Sequence, residues 1–309
     1  MRRLVEGLNR NRWIVISALV IIVFFAVVVW AQYLCYSNGN PLAECLGIAD
    51  KTVWDLMELL IMPLVLAVGA YLFSRSERRN EQQIANDRLQ EATLQAYIDK
   101  IGKLLIDDNL LGCKSDESSS VRDLAQTLTV TALRTLNADR KTLIFRFLKS
   151  AKLGDKLLIG ANLEEVDLKG TDIRGIDLSK ADLRVSDISN SALVDVNLSK
   201  AYMVSTNLHG AQFWNVDFKD TDMSYSDLSH SSIISGKIDF RNANLYMADL
   251  RHADFGDPDS DGVKFHGANL EEANLQNSSI SYEQLKLASS LNNATMPDGN
   301  VYDGRFEKV

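Results

Sequence analysis

Two clusters of side chains in this 309-residue sequence have the types and spacing for chemistry. The first is Asp257-Pro258-Asp259-Ser260-Asp261-Gly262. Asp257, Asp259 and Asp261 alternate ahead of a glycine turn, the opening of a calcium loop in which carboxylates act as hard oxygen ligands. The twelfth position of that pattern is Ala268 instead of Glu, although Glu271 and Glu272 follow closely. The string agrees better with an acidic protruding turn, and a protein contact point is a third reading. The second cluster is Cys35 and Cys45, ten residues apart around Ser37-Asn38-Gly39-Asn40-Pro41. In an oxidising compartment the two are expected to form a disulfide; the alternative is two free thiols. No Ser/His/Asp constellation, phosphate-cradling glycine loop or zinc-protease helix is present. Catalytic and cofactor-binding residues are therefore none, and an enzyme is not expected.

The acidic string lies inside a five-residue beat running from Ala161 to Tyr282. In register it reads Ala161-Asn162-Leu163-Glu164-Glu165, then Val166-Asp167-Leu168-Lys169-Gly170, and onward. A small or β-branched residue comes first, Asp or Asn second, a large apolar residue third and two mostly polar residues last. Neither the helical period of 3.6 nor the strand period of 2 gives apolar recurrence at five. A chain that turns a corner every five residues does. Within each short extended piece, period 2 points the first and third residues inward and the second outward.

The pattern resembles the pentapeptide-repeat family, A(D/N)LXX. That resemblance implies four sides per coil of an all-β right-handed quadrilateral β-helix, a solenoid of stacked coils. Apolar centres twenty residues apart then form columns. The first is Leu163, Leu183, Met203, Met223, Leu245, Phe265; the second is Leu168, Ile188, Leu208, Leu228, Leu250, Leu270. The third is Ile173, Leu193, Phe213, Ile233, Phe255, Leu275; the fourth is Leu178, Leu198, Phe218, Phe240, Ser260, Ile280. Ser260 alone is not apolar, and Gly236-Lys237 reads as a two-residue insertion. In this register His230, His252 and Glu272 share an outer column whose neighbours could hold a metal, although exposed polar residues are the simpler account.

Upstream, Trp13–Ala31 is long enough to span a bilayer, with Ser17 its one polar residue, and Trp54–Phe73 is a second such run. Arg2, Arg3, Arg10 and Arg12 precede the first run and Arg75, Arg78 and Arg79 follow the second, whereas the loop between offers Lys51. That asymmetry places both ends in the cytoplasm. The expected organisation is a cytoplasmic N-terminus (1–12), transmembrane helices at 13–31 and 53–73, and a periplasmic loop at 32–52. A cytoplasmic helical region (74–160), the β-helix (161–282) and a C-terminal cap (283–309) follow. Asp55 and Glu58 sit at the outer end of the second run, where water can solvate them.

Within the helical region, Leu94, Ile98, Ile101 and Leu105 follow coiled-coil spacing, which suits either an oligomer or packing within one subunit. Residues 107–120 read as a polar loop. Helices are expected at Val121–Leu136 and Asp139–Ala151, capped between by Asn137 and shielding the open edge of the first coil. Ser281–Leu291 is expected to be helical as well.

The net charge of −8 disfavours a nucleic-acid partner. Residues 161–282 hold 20 Asp and Glu against 10 Lys and Arg. Some soluble pentapeptide-repeat proteins mimic duplex DNA and bind type II topoisomerases, which makes a DNA-mimicking protein one alternative. A regulatory subunit of a channel or transporter is another. The leading expectation is a membrane-tethered, non-enzymatic scaffold in the bacterial inner membrane, presenting a rigid surface to a protein partner at the cytoplasmic face.

Overall fold

The computed structural model describes residues 53–106, 117–256 and 262–304. The chain divides into two compact units, Met1–Gln82 and Gln83–Val309. Helix α1 (Val53–Ile106, 54 residues) begins in the first and continues into the second. Val65, Leu66, Val68, Tyr71, Leu72 and Phe73 along it are exposed. Among the described residues no helix is long and apolar enough to cross a membrane. The run Trp13–Ala31, the loop with Cys35 and Cys45, and Cys113 lie outside the described residues, as do the side chains of 53–64.

In the second unit, α1 packs against α2 (Glu117–Thr135) and α3 (Ala138–Ser150). Leu94, Tyr97 and Ile101 are buried, with Ile98 and Leu105 partly so, and the Tyr97 ring meets Phe147 edge-on at 6.3 Å. The coiled-coil-like seam is thus consumed within the chain. Tyr97 Oη and Thr129 Oγ1 are 3.0 Å apart; burial pushes the phenol up to about 12, with the Thr129 hydrogen bond opposing. Helix α2 starts four residues before Val121, inside the stretch read from sequence as loop. Asn137 caps α3 by accepting from the Arg140 amide at 3.2 Å, satisfying one of the donors a helix start leaves open.

These helices close the first edge of the solenoid. A parallel ladder leaves its outermost strand with unpaired amides and carbonyls, and burying them unmet is costly. Arg134 Nη2 donates to the Glu164 carbonyl at 2.9 Å, and Lys141 Nζ donates to the Asp167 carbonyl. The Asp172 amide donates to Thr142 Oγ1 at 3.0 Å. A short turn, α4 (Gly154–Leu157), leads in, and the Gly160 amide donates to the Ser179 carbonyl at 2.9 Å. Lys141 is buried, so desolvation lowers its pKa while Asp167 opposes the shift.

A five-stranded parallel sheet begins on the solenoid's third side and runs round into its fourth, in the order β1 (Asp172–Arg174), β2 (Ala192–Val194), β3 (Gln212–Asp217), β4 (Ser232–Asp239), β5 (Val263–Lys264), with β5 on the fourth side. Elsewhere the sides pair through single parallel rungs, such as Asn162–Asp182–Tyr202–Asp222–Asn244–Asn269–Ser290. At each rung one amide reaches up and one reaches down: Leu163 N to Asp182 O is 2.7 Å, and Asp182 N to Ala161 O is 2.9 Å. The apolar centres Leu163, Leu168, Leu183, Leu208, Phe213, Phe218, Leu228, Phe240, Leu250 and Leu270 all point inward and are buried. Several hydroxyls at the small inner position return to the backbone, as in Ser186 Oγ to Leu183 O at 2.6 Å, while those of Thr171 and Ser231 are buried without a partner among the described residues.

Two features of the sequence register change. The two-residue insertion divides into two single-residue irregularities, because Phe213 pairs with Ile233, Trp214 with Ser235 and Val216 with Ile238. Gly236 is needed there: its φ is +89° and an added Cβ would strike the Asn215 amide, whose Oδ1 accepts from Lys237 N at 3.0 Å. The second change is larger. Asp257–Asp261 lies outside the described residues, but the pairing on either side shows that this stretch adds a whole unit to its side. Ile233 N bonds Asp254 O, whereas Ile238 N bonds Gly262 O and Phe240 N bonds Lys264 O. Phe265 therefore sits above Phe240 in the fourth column, and Leu270 above Leu245 in the first, with Leu275 above Leu250 in the second. The rings Phe218, Phe240 and Phe265 stack at 5.0 and 5.2 Å. Ser260, the one polar centre of the sequence register, lies outside the described residues.

At the far end, helix α5 spans only Tyr282–Leu285, with a capping box between Ser281 and Gln284. The chain then resumes the coil: Ser290 pairs with Asn269 and Thr295 with Asn274, while Leu291, Ala294 and Met296 are buried. The expected longer helix gives way because these residues complete another level. Thr295 then pairs antiparallel with Val301, folding the tail over part of the last edge.

Candidate functional site

The outward positions of the repeat are the candidate surface, and most of their polar groups have structural duties. The Asp or Asn at the second position accepts from the amide two residues on, as in Ser179 N to Asp177 Oδ1 at 2.8 Å and Lys219 N to Asp217 Oδ1 at 2.8 Å. This Asx turn mimics a backbone turn and explains why short acceptors occupy the position. Several also bond vertically, including Asn197 Nδ2 to Asp177 Oδ2 at 3.0 Å and Asn207 Nδ2 to Asp187 Oδ1 at 3.1 Å. Where Asn lies above Asp in this way a donor meets an acceptor, whereas at Asp167–Asp187 and Asp227–Asp249 two carboxylates are neighbours.

Where Arg follows the apolar centre, it folds back on the same carboxylate. Arg184 Nη2 lies 2.6 Å from Asp182, Arg241 Nη2 2.5 Å from Asp239 and Arg251 Nη2 2.6 Å from Asp249. Arg184's hydrogen bonds hold the Asp182 carboxyl below its usual range. At Asp239 and Asp249 burial works the other way, yet Arg241 and Arg251 keep both low.

The fifth position of each unit is left-handed. Glu165, Lys180, Val185, Asn190, Asp195 and further non-glycine residues have φ between 51° and 60°. Such φ values are uncommon outside glycine, Asn and Asp. Here each corner amide is held by the level above, as in Glu165 N to Arg184 O at 2.9 Å.

The candidate metal column is rearranged. His252 lies over His230, with rings stacked at 4.8 Å, and His209 meets His230 at 5.2 Å. Glu272 does not join them: the Met247 amide bonds Glu271 O, which puts Glu272 over Met247, whereas the His252 amide bonds Gln276 O and has Asn277 above it. The misplacement follows from the missed insertion at 257–261. Among the described residues no group of three or more His, Cys, Asp or Glu could hold a metal ion. Asp257, Asp259 and Asp261 lie outside them, as do Cys35 and Cys45.

What sequence reading overlooked is apolar. Val185, Tyr202, Tyr225 and Met247 are exposed along one side of the solenoid, and Trp214 and Ile234 along another. The signal was available: Val, Tyr and Met recur at a corner position that elsewhere favours Gly, Asn, Asp or Lys.

The model of the pentapeptide repeats matches residues 148–184, 161–199, 181–220, 201–233 and 237–257, in eight copies. From residue 161 onward these stretches are pentapeptide repeats; the first match also takes in the end of α3 and the turn α4. No curated protein matches the chain. Among solved structures, HetL, a pentapeptide repeat protein involved in heterocyst differentiation regulation in the cyanobacterium Nostoc, is 22% identical over 50% of this chain and 98% of its own, with a TM-score of 0.16. Rfr23, a pentapeptide repeat protein of the cyanobacterium Cyanothece, is 19% identical over 38% of this chain and 88% of its own, at 0.20. QnrB1, a plasmid-mediated fluoroquinolone resistance protein, is 13% identical over 45% of this chain and 81% of its own, at 0.23.

Proposed function

We propose that this chain is a membrane-tethered, non-enzymatic scaffold whose repeat solenoid offers a rigid surface to a protein partner at the cytoplasmic face of a bacterial inner membrane. The observation that carries the scaffold reading is the use made of the outward polar groups. Asp177, Asp187 and Asp217 each hold a turn amide, and Asp182, Asp239 and Asp249 are tied to arginines. Side chains so fixed make a stiff, flat exterior suited to presenting a surface. The two-membered spacing of carboxylates that could suggest acid–base catalysis is the repeat itself.

The tether rests on the sequence: Trp13–Ala31 and Trp54–Phe73 are long apolar runs, flanked by arginines on the ends that would face the cytoplasm. The exposure of Leu66 and Phe73 on α1, both 71%, agrees with a helix whose surroundings are not water. Partner identification by crosslinking in native membranes tests the reading. A defined protein should crosslink to the wild-type chain and be lost with Leu208→Asp, which places a charge in the buried second column. A chain that washes off membranes at alkaline pH would end the tether, and one that crosslinks to nothing would end the scaffold.

A further inference from the structure

The first side of the solenoid, built from units 161–165, 181–185, 201–205, 221–225, 243–247 and 268–272, combines three properties that the fold does not require. Its outer corner is apolar. Val185, Tyr225 and Met247 occupy the fifth position there, 58%, 54% and 41% exposed, and Tyr202 on the same side is 57% exposed. The Tyr225 and Tyr246 rings meet edge-on at 5.5 Å, making one aromatic platform across two levels.

The backbone at these residues is also strained. Val185, Tyr225 and Met247 have φ of 58°, 60° and 54°. Among the described residues, they are the only apolar ones found at positive φ. The equivalent positions on other corners hold Gly170, Asn190, Asp195 or Gly210, which tolerate that conformation better, or the polar Lys180, Lys200, His230 and His252, which are at home in water. A β-branched residue there is a genuine outlier. Folding gains little from a side chain that is both strained and left in water, so the choice of residue calls for another cause.

The side is acidic as well. It carries Glu164, Glu165, Asp182, Asp222, Glu271 and Glu272, with Arg184 its one base. Arg184 is occupied by Asp182 at 2.6 Å and Glu164 at 3.6 Å. Glu271 and Glu272 border Tyr246 and, after burial, help to raise its phenol pKa.

From this juxtaposition, and on the scaffold reading above, we propose that the Val185–Tyr225–Tyr246–Met247 corner is the docking surface for a partner protein segment that carries apolar side chains together with Lys or Arg. The apolar groups seat on the Tyr platform and the cations on Glu271 and Glu272. Surface aromatics of this kind anchor interfaces, and charge complementarity sets orientation and encounter rate.

The test uses the full chain in detergent and a fluorescein-labelled synthetic peptide alternating Leu and Lys, read by anisotropy. A second peptide replaces every Lys by Glu. The Leu/Lys peptide should bind and the Leu/Glu peptide should not. The double variant Val185→Asn/Tyr225→Asn should weaken binding by about tenfold or more, the scale of losing an anchor residue. Because Asn accepts positive φ, the same variant should unfold no more easily than wild type. Glu271→Gln/Glu272→Gln should weaken binding and steepen nothing in stability, and Trp214→Ser on the third side should leave binding unchanged. Equal binding by wild type and Val185→Asn/Tyr225→Asn would overturn the proposal. So would loss that simply tracks unfolding. A partner crosslinked equally by wild type and this double variant would leave the scaffold standing and remove this surface, whereas no crosslinked partner at all would remove both.

Discussion

Phe240→Ala is the sharpest test of the axial packing. Phe240 is fully buried, stacked on Phe218 at 5.0 Å and on Phe265 at 5.2 Å with rings within a few degrees of parallel, and edge-on to Phe255 at 6.0 Å. Truncating a core Phe to Ala costs about 3–5 kcal/mol, depending on how far the site collapses. Collapse is hindered here because the levels above and below are locked by parallel rungs, and three ring contacts vanish together. The upper end, about 5 kcal/mol, is therefore expected, whereas Phe240→Leu should cost less than about 2 kcal/mol because it keeps most of the volume. At a urea slope of about 2 kcal/mol per molar, Phe240→Ala should lower the midpoint by about 2.5 M. The assay is urea unfolding of the full chain in detergent, followed by far-ultraviolet circular dichroism. In a cycle with Phe218→Ala the double variant should fall short of the sum by roughly 0.5–1.5 kcal/mol, the worth of an aromatic pair. A midpoint for Phe240→Ala within 0.5 M of wild type, a shift of about 1 kcal/mol on the same slope, would refute the placement of this column on the axis.

Three other outcomes follow from the edges and corners. Lys141→Ala strips the Asp167 carbonyl of its donor, which should cost about 1–3 kcal/mol and speed amide hydrogen exchange in the first coil before that of coils further along. Gly236→Ala meets both a φ of +89° and the Asn215 side chain; it should lower the thermal midpoint, with local exchange rising at Lys237. The carboxyls of Asp182, Asp239 and Asp249 are held low in the fold, so their contribution is present above the ordinary carboxylate range and is lost as pH falls through the depressed values. Replacing Arg184, Arg241 and Arg251 by Gln should flatten that acid limb in melting experiments below about pH 4, the unperturbed carboxylate range; an unchanged limb would show that these exposed pairs carry no linkage.

How far the sequence could be read depended on what each position is made to do. The inward columns were legible through Phe255 because burial leaves no alternative to an apolar side chain, and Asn137 was legible because a helix start requires an acceptor. The fifth level was not, because counting by fives treats Asp257–Asp261 as another unit, and only the backbone pairing of Phe240 with Lys264 shows that it is extra. That one slip moved Phe265, Leu270 and Leu275 by a column and set Glu272 beside the wrong neighbours. The helix predicted at Ser281–Leu291 failed for a related reason: Leu285 and Leu291 fit a helical spacing, but Ser290 and Thr295 have ladder partners in the coil below, and cooperative pairing outweighs local spacing.

The same reasoning separates the parts of the surface that carry information from those that do not. An Asp in the second position says little, since the turn amide two residues on would select an acceptor there in any solenoid of this kind. An asparagine at a corner says little more, as it is tolerated at positive φ and in water, and a lysine there is at least well solvated. Val185 and Tyr225 are different, because strain and hydration both work against them while their backbone bonds, Val185 N to Val204 O at 3.0 Å and Tyr225 N to Tyr246 O at 2.9 Å, could be made by any residue. Function in a repeat protein is best sought where the residue present is one the repeat itself would not choose.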